Sequence, residues 1–335
     1  MMKMTKLTRS LAVTAGLGMA LASIAACDTE SPSESTAAGA SAAPKQLTFG
    51  LANQQESVTF PAALAKGAKA KADELGIKLV TLDSQGDQQK QASQVQDLIA
   101  QKVDGIILVP LAPGPGQALV DQAAGAGIAV GTAHGYVGSG RDVESPYEKL
   151  KFIVTENERG AGETAGTMAI KELPAGGKVA VITGAPGFDE NTTRVEKFKA
   201  ALEAKGGYQI VATQPGNWTK QDGQSACQNL LAATPDLGLV YAISDDMAVG
   251  CAAAVKSANS TAKIIGVGGS AAGIAAIKDG TLAGTVCYKP YDSGEMAVQL
   301  LHDAVTGTLT GAPKTTFYDT PGVTKENVDS CTPQW

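Results

Sequence analysis

Aromatic side chains make up only 4% of this 335-residue chain, with two Trp and two His in all. Stacking surfaces and imidazole chemistry therefore have few candidates, and each one has to be placed. Cysteine is sparse as well: the five residues include no CxxC pair and no Cys/His cluster, which removes the usual signature of a zinc site. No metal and no cofactor is expected. Positive charge is in deficit, 27 Lys and Arg against 33 Asp and Glu for a net charge of −6, so nucleic acid and anionic membrane surfaces are poor partners. A bilayer-spanning run is missing too, because the opening apolar stretch from Leu11 to Ala26 falls short of the ~20 residues required.

That stretch follows Lys3, Lys6 and Arg9 with no acid among them, which is the pattern of an export signal over residues 1–26. It ends in Ile24-Ala25-Ala26-Cys27, similar to a bacterial lipobox, in which small residues precede the cut and the Cys thiol accepts a diacylglyceryl group. One acyl chain binds a membrane only marginally, so Cys27 is expected to carry two or more, palmitate among them. Residues 27–45 then read as a lipidated Cys and a flexible tether, since DTESPSESTAAGASAAPK is rich in Ser, Ala and Thr and cannot build a core. Removing residues 1–26 leaves 24 basic and 33 acidic side chains, a net charge of −9. The expected location is the outer face of the cell membrane, reached by export and held by lipid.

With 44% hydrophobic residues the remaining chain can fill two ordinary domain cores. Short apolar runs at 46–52, 77–82, 104–110 and 128–132 alternate with stretches of helical period. One of these stretches sets Leu64, Ala68, Ala72 and Leu75 on one face, with Gly76 as a stop. The same rhythm restarts at 178–183, 208–213, 239–243 and 263–268, an offset of roughly 130 residues. The fold class expected is α/β, two doubly wound parallel-sheet lobes, with ligand taken at the carboxyl ends of the strands in the crevice between them.

Several residues point at that crevice. Trp218 lies in the polar turn QPGNWTKQDG (214–223), five residues past an apolar run, where a large ring is either a lid over a core edge or a plate held out for ligand. His134 follows the run 128–132 directly. Arg194 comes after the turn TGAPGFDENTT, where its guanidinium can offer several fixed donors to adjacent hydroxyls or pair with Glu190 or Glu196 at the surface. Two enzymatic readings compete for Gly266-Val267-Gly268-Gly269-Ser270-Ala271. It matches the dinucleotide pattern G-x-G-x-x-A, but no acid ends a strand about twenty residues further on. It also approaches the G-x-S-x-G nucleophile elbow, with His302 and Asp292 as partners, yet those two lie only ten residues apart on one helical stretch.

The stretches LVTLDSQGDQQKQASQVQDLIAQKVDGIILVP (79–110) and VYAISDDMAVG (240–250) resemble the exported sugar-binding proteins of ABC importers, most closely the ribose-binding type. The likeness runs from about Gln46 to about Thr306. It implies a type I periplasmic binding protein fold, two lobes joined by a three-strand hinge and closing on one small sugar. It also implies a monomer, an ABC permease as partner, and no enzymatic activity. An aromatic clamp would fall on Phe60 and Trp218, and a sugar-gripping arginine on Arg194. The ligand-binding set implied is Gln54, Phe60, His134, Asn191, Arg194, Trp218, Ser244, Asp245 and Tyr288. If Trp218 is a clamp plate, intrinsic fluorescence should change on binding, with Trp335, at the C-terminal end, contributing little to the change.

Departures from the ribose-binding pattern are as informative. His134-Gly135 replaces an Asp-Arg pair, Pro61 a second Phe, Ser244 an Asn, Gly268 an Asp and Tyr288 a hinge Gln. Two carboxylates and an arginine are thereby lost, so a ligand other than ribose is expected: a polyol, a deoxy sugar, or another pentose or hexose. Alternatives kept open are a binding protein for a nucleoside or small signal that feeds a membrane sensor, and an exported serine hydrolase built on Ser270.

The lobes are expected at 46–154 with 289–316 and at 155–288 with 317–335. Beyond Cys27 the four cysteines allow three pairings. Cys227–Cys251 and Cys287–Cys331 are expected, because the first two fall on successive helices of one lobe and Cys287 ends a strand that the final segment must approach. For the anchor, Cys27→Ser should either release the protein into the medium or leave it unprocessed, as read by fractionation and intact mass. A Ser variant that is cleaved normally and stays on the membrane would remove the lipoprotein reading.

Overall fold

The computed structural model describes residues 45–188 and 190–335. The export signal, Cys27 and the tether as far as Pro44 lie outside the described residues. In chain order the first lobe runs β1 (Thr48–Asn53), α1 (Thr59–Glu74), β2 (Lys78–Asp83), α2 (Gln88–Ala100), β3 (Gly105–Leu108), α3 (Pro113–Gly125), β4 (Ala129–Ala133) and β5 (Phe152–Glu156). The second lobe follows with α4 (Glu158–Glu172), β6 (Gly177–Thr183), α5 (Glu190–Lys205), β7 (Tyr208–Pro215), α6 (Lys220–Ala233) and β8 (Leu239–Ala242). It continues through α7 (Asp245–Ser257), β9 (Lys263–Gly268), α8 (Ala271–Lys278) and β10 (Gly284–Cys287). The chain then returns with α9 (Pro290–Thr306) and β11 (Lys314–Tyr318) before β12 (Gly322–Thr324).

One six-stranded sheet has the order β2-β1-β3-β4-β5-β11 and the other β7-β6-β8-β9-β10-β12. Both repeat the same winding, which is the structural counterpart of the ~130-residue echo in the sequence. All described pairings are parallel except β10 with β12. Strands β3, β5, β8 and β10 are buried at every residue, because helices cover both faces of each sheet and leave no alternation to read. The chain crosses between sheets after β5, between β10 and α9, and between β11 and β12. Strands β5 and β11 belong wholly to the first sheet, so those crossings fall at residue 157 and within 319–321, slightly later than the divisions drawn at 154/155 and 316/317.

Local chemistry sets the ends of the helices. Asp87, Asn157, Thr219, Ser244 and Ser270 each accept a hydrogen bond from a first-turn backbone N–H of the helix that follows. Gly76, just beyond α1, adopts φ +67°, a left-handed position suited to a residue without Cβ. Glycine matters more where helices cross. A Cβ on Gly67 of α1 would lie 1.9 Å from the Tyr291 carbonyl oxygen of α9, and one on Gly294 of α9 would lie 2.1 Å from that of Leu64. The same device joins α4 to α5 at Gly162 and α6 to α7 at Gly250, whose added Cβ atoms would strike the carbonyl oxygens of Arg194 and Lys220. Helix α9 is drawn onto the first sheet in this way, although residues of the second lobe precede it in the chain.

Both expected disulfides form: Cys227–Cys251 ties α6 to α7, and Cys287–Cys331 ties the end of β10 to the final segment. Among the described residues no helix is long and apolar enough to cross a membrane. Gly67→Ala should lower the unfolding temperature by several degrees, since overpacking against backbone that cannot yield costs at least ~1–3 kcal/mol. Gly125→Ala, where an added Cβ meets open space, is the control. A calorimetric scan that places both variants together would show that the α1–α9 crossing has room to relax.

Candidate functional site

The carboxyl ends of both sheets open on one cleft of roughly 700 Å³, counted with its mouth. Its first-lobe wall carries Gln54, Phe60, Pro61 and His134, and its second-lobe wall carries Arg194, Trp218, Ser244, Asp245 and Gly268, with Tyr288 at the crossing. Eight of the nine expected ligand-binding residues therefore share this cavity. Across the mouth, Thr59 Oγ1 donates to Asp246 Oδ2 at 2.8 Å, joining the first turn of α1 to the first turn of α7.

Trp218 is aimed by backbone. Asn217 and Trp218 take consecutive left-handed conformations, φ 50° and 64°, which turn the chain sharply after β7. The indole then lies on Gly184, where a Cβ would come within 2.0 Å of the ring, and Phe188 meets it edge-on with centroids 5.9 Å apart. The Arg194 guanidinium stands 6.0 Å from the same ring. On the opposite wall Phe60 packs on His134 at 4.3 Å, with Tyr288 at 6.1 Å and Trp335 at 5.7 Å.

Behind the cleft the three crossings share a polar network. Arg194, 4% exposed, donates from Nη2 to Glu158 Oε1 at 2.6 Å, from Nε to Glu158 Oε2, and from Nη1 to the Ile243 carbonyl at 2.9 Å. Glu158 is thus a partner that neither surface pairing anticipates, and Gly162 is the reason: α5 packs close enough to α4 to bring Arg194 onto the first residue of α4. Tyr288 donates to Glu158 Oε2 at 2.7 Å, and Tyr318, from β11, donates to Glu156 Oε2 at 3.2 Å. His134 Nδ1 meets Glu156 Oε1. Burial pushes the Glu156 carboxyl up, but the charge and hydrogen bond of His134, aided by Glu158 and Arg194, outweigh it and hold Glu156 below the usual carboxylate range. Burial also raises the Tyr288 hydroxyl well above its ordinary value, so it stays a donor.

Donor atoms of His134, Glu156 and Glu158 converge within 4.8 Å, the geometry of a cation site, while their charges are already matched by one another and by Arg194. Asn191 departs from expectation. Its side chain accepts from Gly184 N at 2.8 Å and donates to the Ala185 carbonyl, so it builds the turn beneath Trp218 and does not line the cleft. Gln54 is positioned by its own amide, which donates to the Pro110 carbonyl at 2.8 Å. Asp245 reaches the cavity wall with its carboxylate committed to Ser270 N at 2.7 Å and Thr285 Oγ1 at 2.5 Å. Ser270 itself caps α8 through Gly273 N at 3.0 Å, and Asp292 pairs with Gln334, so the elbow-like stretch carries no assembled triad. Trp335, expected to contribute little to a fluorescence change on binding, lines the cleft.

Glu156, Glu158 and Trp335 were not found from sequence. An acid closing the wholly buried strand FIVTE is the signal that would have flagged Glu156.

Two lobes, a shared cleft and rings on both walls define a two-lobed ligand-binding architecture. The chain belongs to the family of the periplasmic binding protein domain, whose model matches residues 49–309. It is 30% identical over 296 residues to the ribose import binding protein of Bacillus subtilis, covering 88% of this chain and 93% of that one. It is 31% identical over 249 residues to the ribose import binding protein of Escherichia coli, covering 74% and 81%. Among solved structures, an ABC transporter solute-binding protein from Mycobacterium smegmatis with bound glycerol matches with TM-score 0.78 and 30% identity, over 85% of this chain and 96% of that one. These relatives bear the names of binding proteins and not of enzymes.

Asp245 gives a pH signature. Burial raises its carboxyl to about 6, above the ordinary value of 3.8, against the hydrogen bonds from Thr285 and Ser270. The folded state therefore holds a proton that the unfolded chain has released, so the contribution of Asp245 to stability falls as pH rises from about 4 to about 6, by on the order of 2–3 kcal/mol. Asp245→Asn should remove that contribution, so the denaturant midpoint of the variant should rise relative to the wild type across that window. An unchanged slope in the variant would mean that Asp245 is ionised throughout.

Proposed function

We propose that this chain is an extracytoplasmic solute-binding lipoprotein of an ABC importer. It takes a small sugar or sugar alcohol other than ribose into the interlobe cleft and presents it, as a monomer, to permease subunits in the membrane. Cys27 anchors it by lipid. The observation that carries the reading is the pairing of Phe60 and Trp218, one from each lobe, on a single cavity beside Arg194. Both faces of a pyranose or furanose carry C–H groups that pack on rings, and the edge hydroxyls take hydrogen bonds from fixed donors.

Ligand contacts to both walls exist only when the lobes are together, so binding shifts the population towards the closed form, in which Thr59 meets Asp246. The wall supports a ligand other than ribose. Gly268 and Ser244 stand where ribose binders carry Asp and Asn, and a ribose hydroxyl deprived of its partner costs ~1–3 kcal/mol. Relatives named for ribose import support the class, and the neighbour holding glycerol supports a polyol.

A thermal-shift screen of sugars and polyols tests the reading, because a ligand at 100 times its dissociation constant adds ~2.7 kcal/mol to stability. Trp218→Ala should weaken the best hit by ~2 kcal/mol or more, at least thirtyfold, with little change in unfolding temperature without ligand. Arg194→Ala should weaken it too but also destabilise the apo protein, since it strands Glu158. If Trp218→Ala binds the best hit normally yet unfolds several degrees earlier, the ring is a core lid and the site assignment fails.

A further inference from the structure

Residues 331–335 form a strap that touches both lobes. Cys331 is bonded to Cys287 at the end of β10. The Trp335 carbonyl accepts from Ala271 N, the first residue of α8, at 2.8 Å. Gln334 acts in the other direction. Its Oε1 accepts from Tyr291 N at 2.9 Å and Asp292 N at 3.3 Å, and its Nε2 donates to Asp292 Oδ1 at 2.6 Å. Helix α9 has no side-chain cap from its own Lys289, so Gln334 supplies one from the far end of the chain. Two helix starts, α8 packed in the second lobe and α9 packed on the first, are thus satisfied by one short segment.

This bracing delivers a ring to the cleft. Trp335 lies over Gly268, where a Cβ would be 3.0 Å from Cζ2 and where φ is +147°, a conformation L side chains rarely adopt. Its ring meets Phe60 edge-on at 5.7 Å. We infer that Trp335 is a specificity-determining wall of the ligand cleft, held in place by the strap through the Cys287–Cys331 bond, and that it selects for the size and apolar face of a polyhydroxy ligand. The inference rests on the reading of the cleft as a sugar or polyol site. Gly268 and the strap are two halves of one arrangement: a side chain at 268 would meet the ring, and without the strap the ring has no fixed position.

Two measurements on the full chain separate the possibilities. The first needs no ligand. In Trp218→Phe, Trp335 is the sole tryptophan, and acrylamide should quench it at least twofold less steeply than in the same protein unfolded by guanidinium. Combining Cys287→Ser and Cys331→Ser in that background should move quenching towards the unfolded value. The second uses glycerol, ribitol, D-allose and myo-inositol as probes. Trp335→Ala should weaken the best of them by tenfold or more and change the order of preference among the four, while Trp335→Phe restores part of the affinity. Quenching of the folded protein as steep as the unfolded one overturns the inference. So does an affinity order unchanged within twofold in Trp335→Ala while Trp218→Ala still loses binding. If none of the four probes binds the wild type, the polyol reading and the selective role of Trp335 fail together, whereas steep quenching or an unchanged order with a probe bound overturns the role of Trp335 alone.

Discussion

Two carboxylates two residues apart, Glu156 and Glu158, sit at the first crossing, and much of the cleft is arranged around keeping them satisfied. Glu156 is 1% exposed, and stranding such a group by removing a partner costs ~3–5 kcal/mol, a large share of a protein's whole stability. The satisfaction is distributed. His134 comes from the end of β4, Arg194 from α5, Tyr288 from the second crossing and Tyr318 from the third. A network that draws one group from each crossing ties them into a single polar block, so relative motion of the lobes is confined to bending about it. Arg194 and Tyr288 carry that constraint into the cleft, because the same side chains that satisfy Glu158 also form its wall.

The network also explains why Phe60 and Trp218 are held differently. Phe60 leans on His134 and Tyr288, both fixed by the buried acids, so its position follows from the crossing. Trp218 depends on its own lobe: a left-handed turn at 217–218, the bare backbone of Gly184, and Asn191 spending its amide on Gly184 and Ala185. One ring is fastened to the crossings and the other to a lobe, which is what the proposed clamp, closing by rotation, would require.

Periodicity made the lobes legible in advance, since βαβ units repeat a local pattern and an echo at ~130 residues needs no knowledge of contacts. Position after a strand pointed to His134, whereas Gln54, Ser244 and Tyr288 entered through the family resemblance; all four line the cleft. Three kinds of feature were not legible. Strands β11 and β12 are short and poor in apolar residues, and they exist because the end of the chain returns to both sheets. Asn191 is of a type and position that suit a ligand, yet backbone groups of the 184–191 turn claim it first. Glu158 and Trp335 gain their meaning from partners 36 and 67 residues distant, Arg194 and Gly268, so no window along the chain contains either relation.

The substitutions that set this cleft apart from ribose binders are coupled in space. Gly268, where the resemblance puts an Asp, offers no side-chain acceptor and leaves clear the space into which Trp335 turns. Exchanging an Asp-Arg pair for His134-Gly135 leaves an imidazole occupied by Glu156 and backing the Phe60 ring. These two changes trade charged hydrogen-bonding partners for aromatic surface, or for a group already engaged with the crossing. Lost partners leave hydroxyls of the wrong ligand unsatisfied, which discriminates more strongly than an added apolar contact attracts. On the proposed reading, a cleft of this composition would favour ligands whose C–H faces are broad and whose hydroxyls are gathered towards Arg194, over a pentose that needs acceptors on every side.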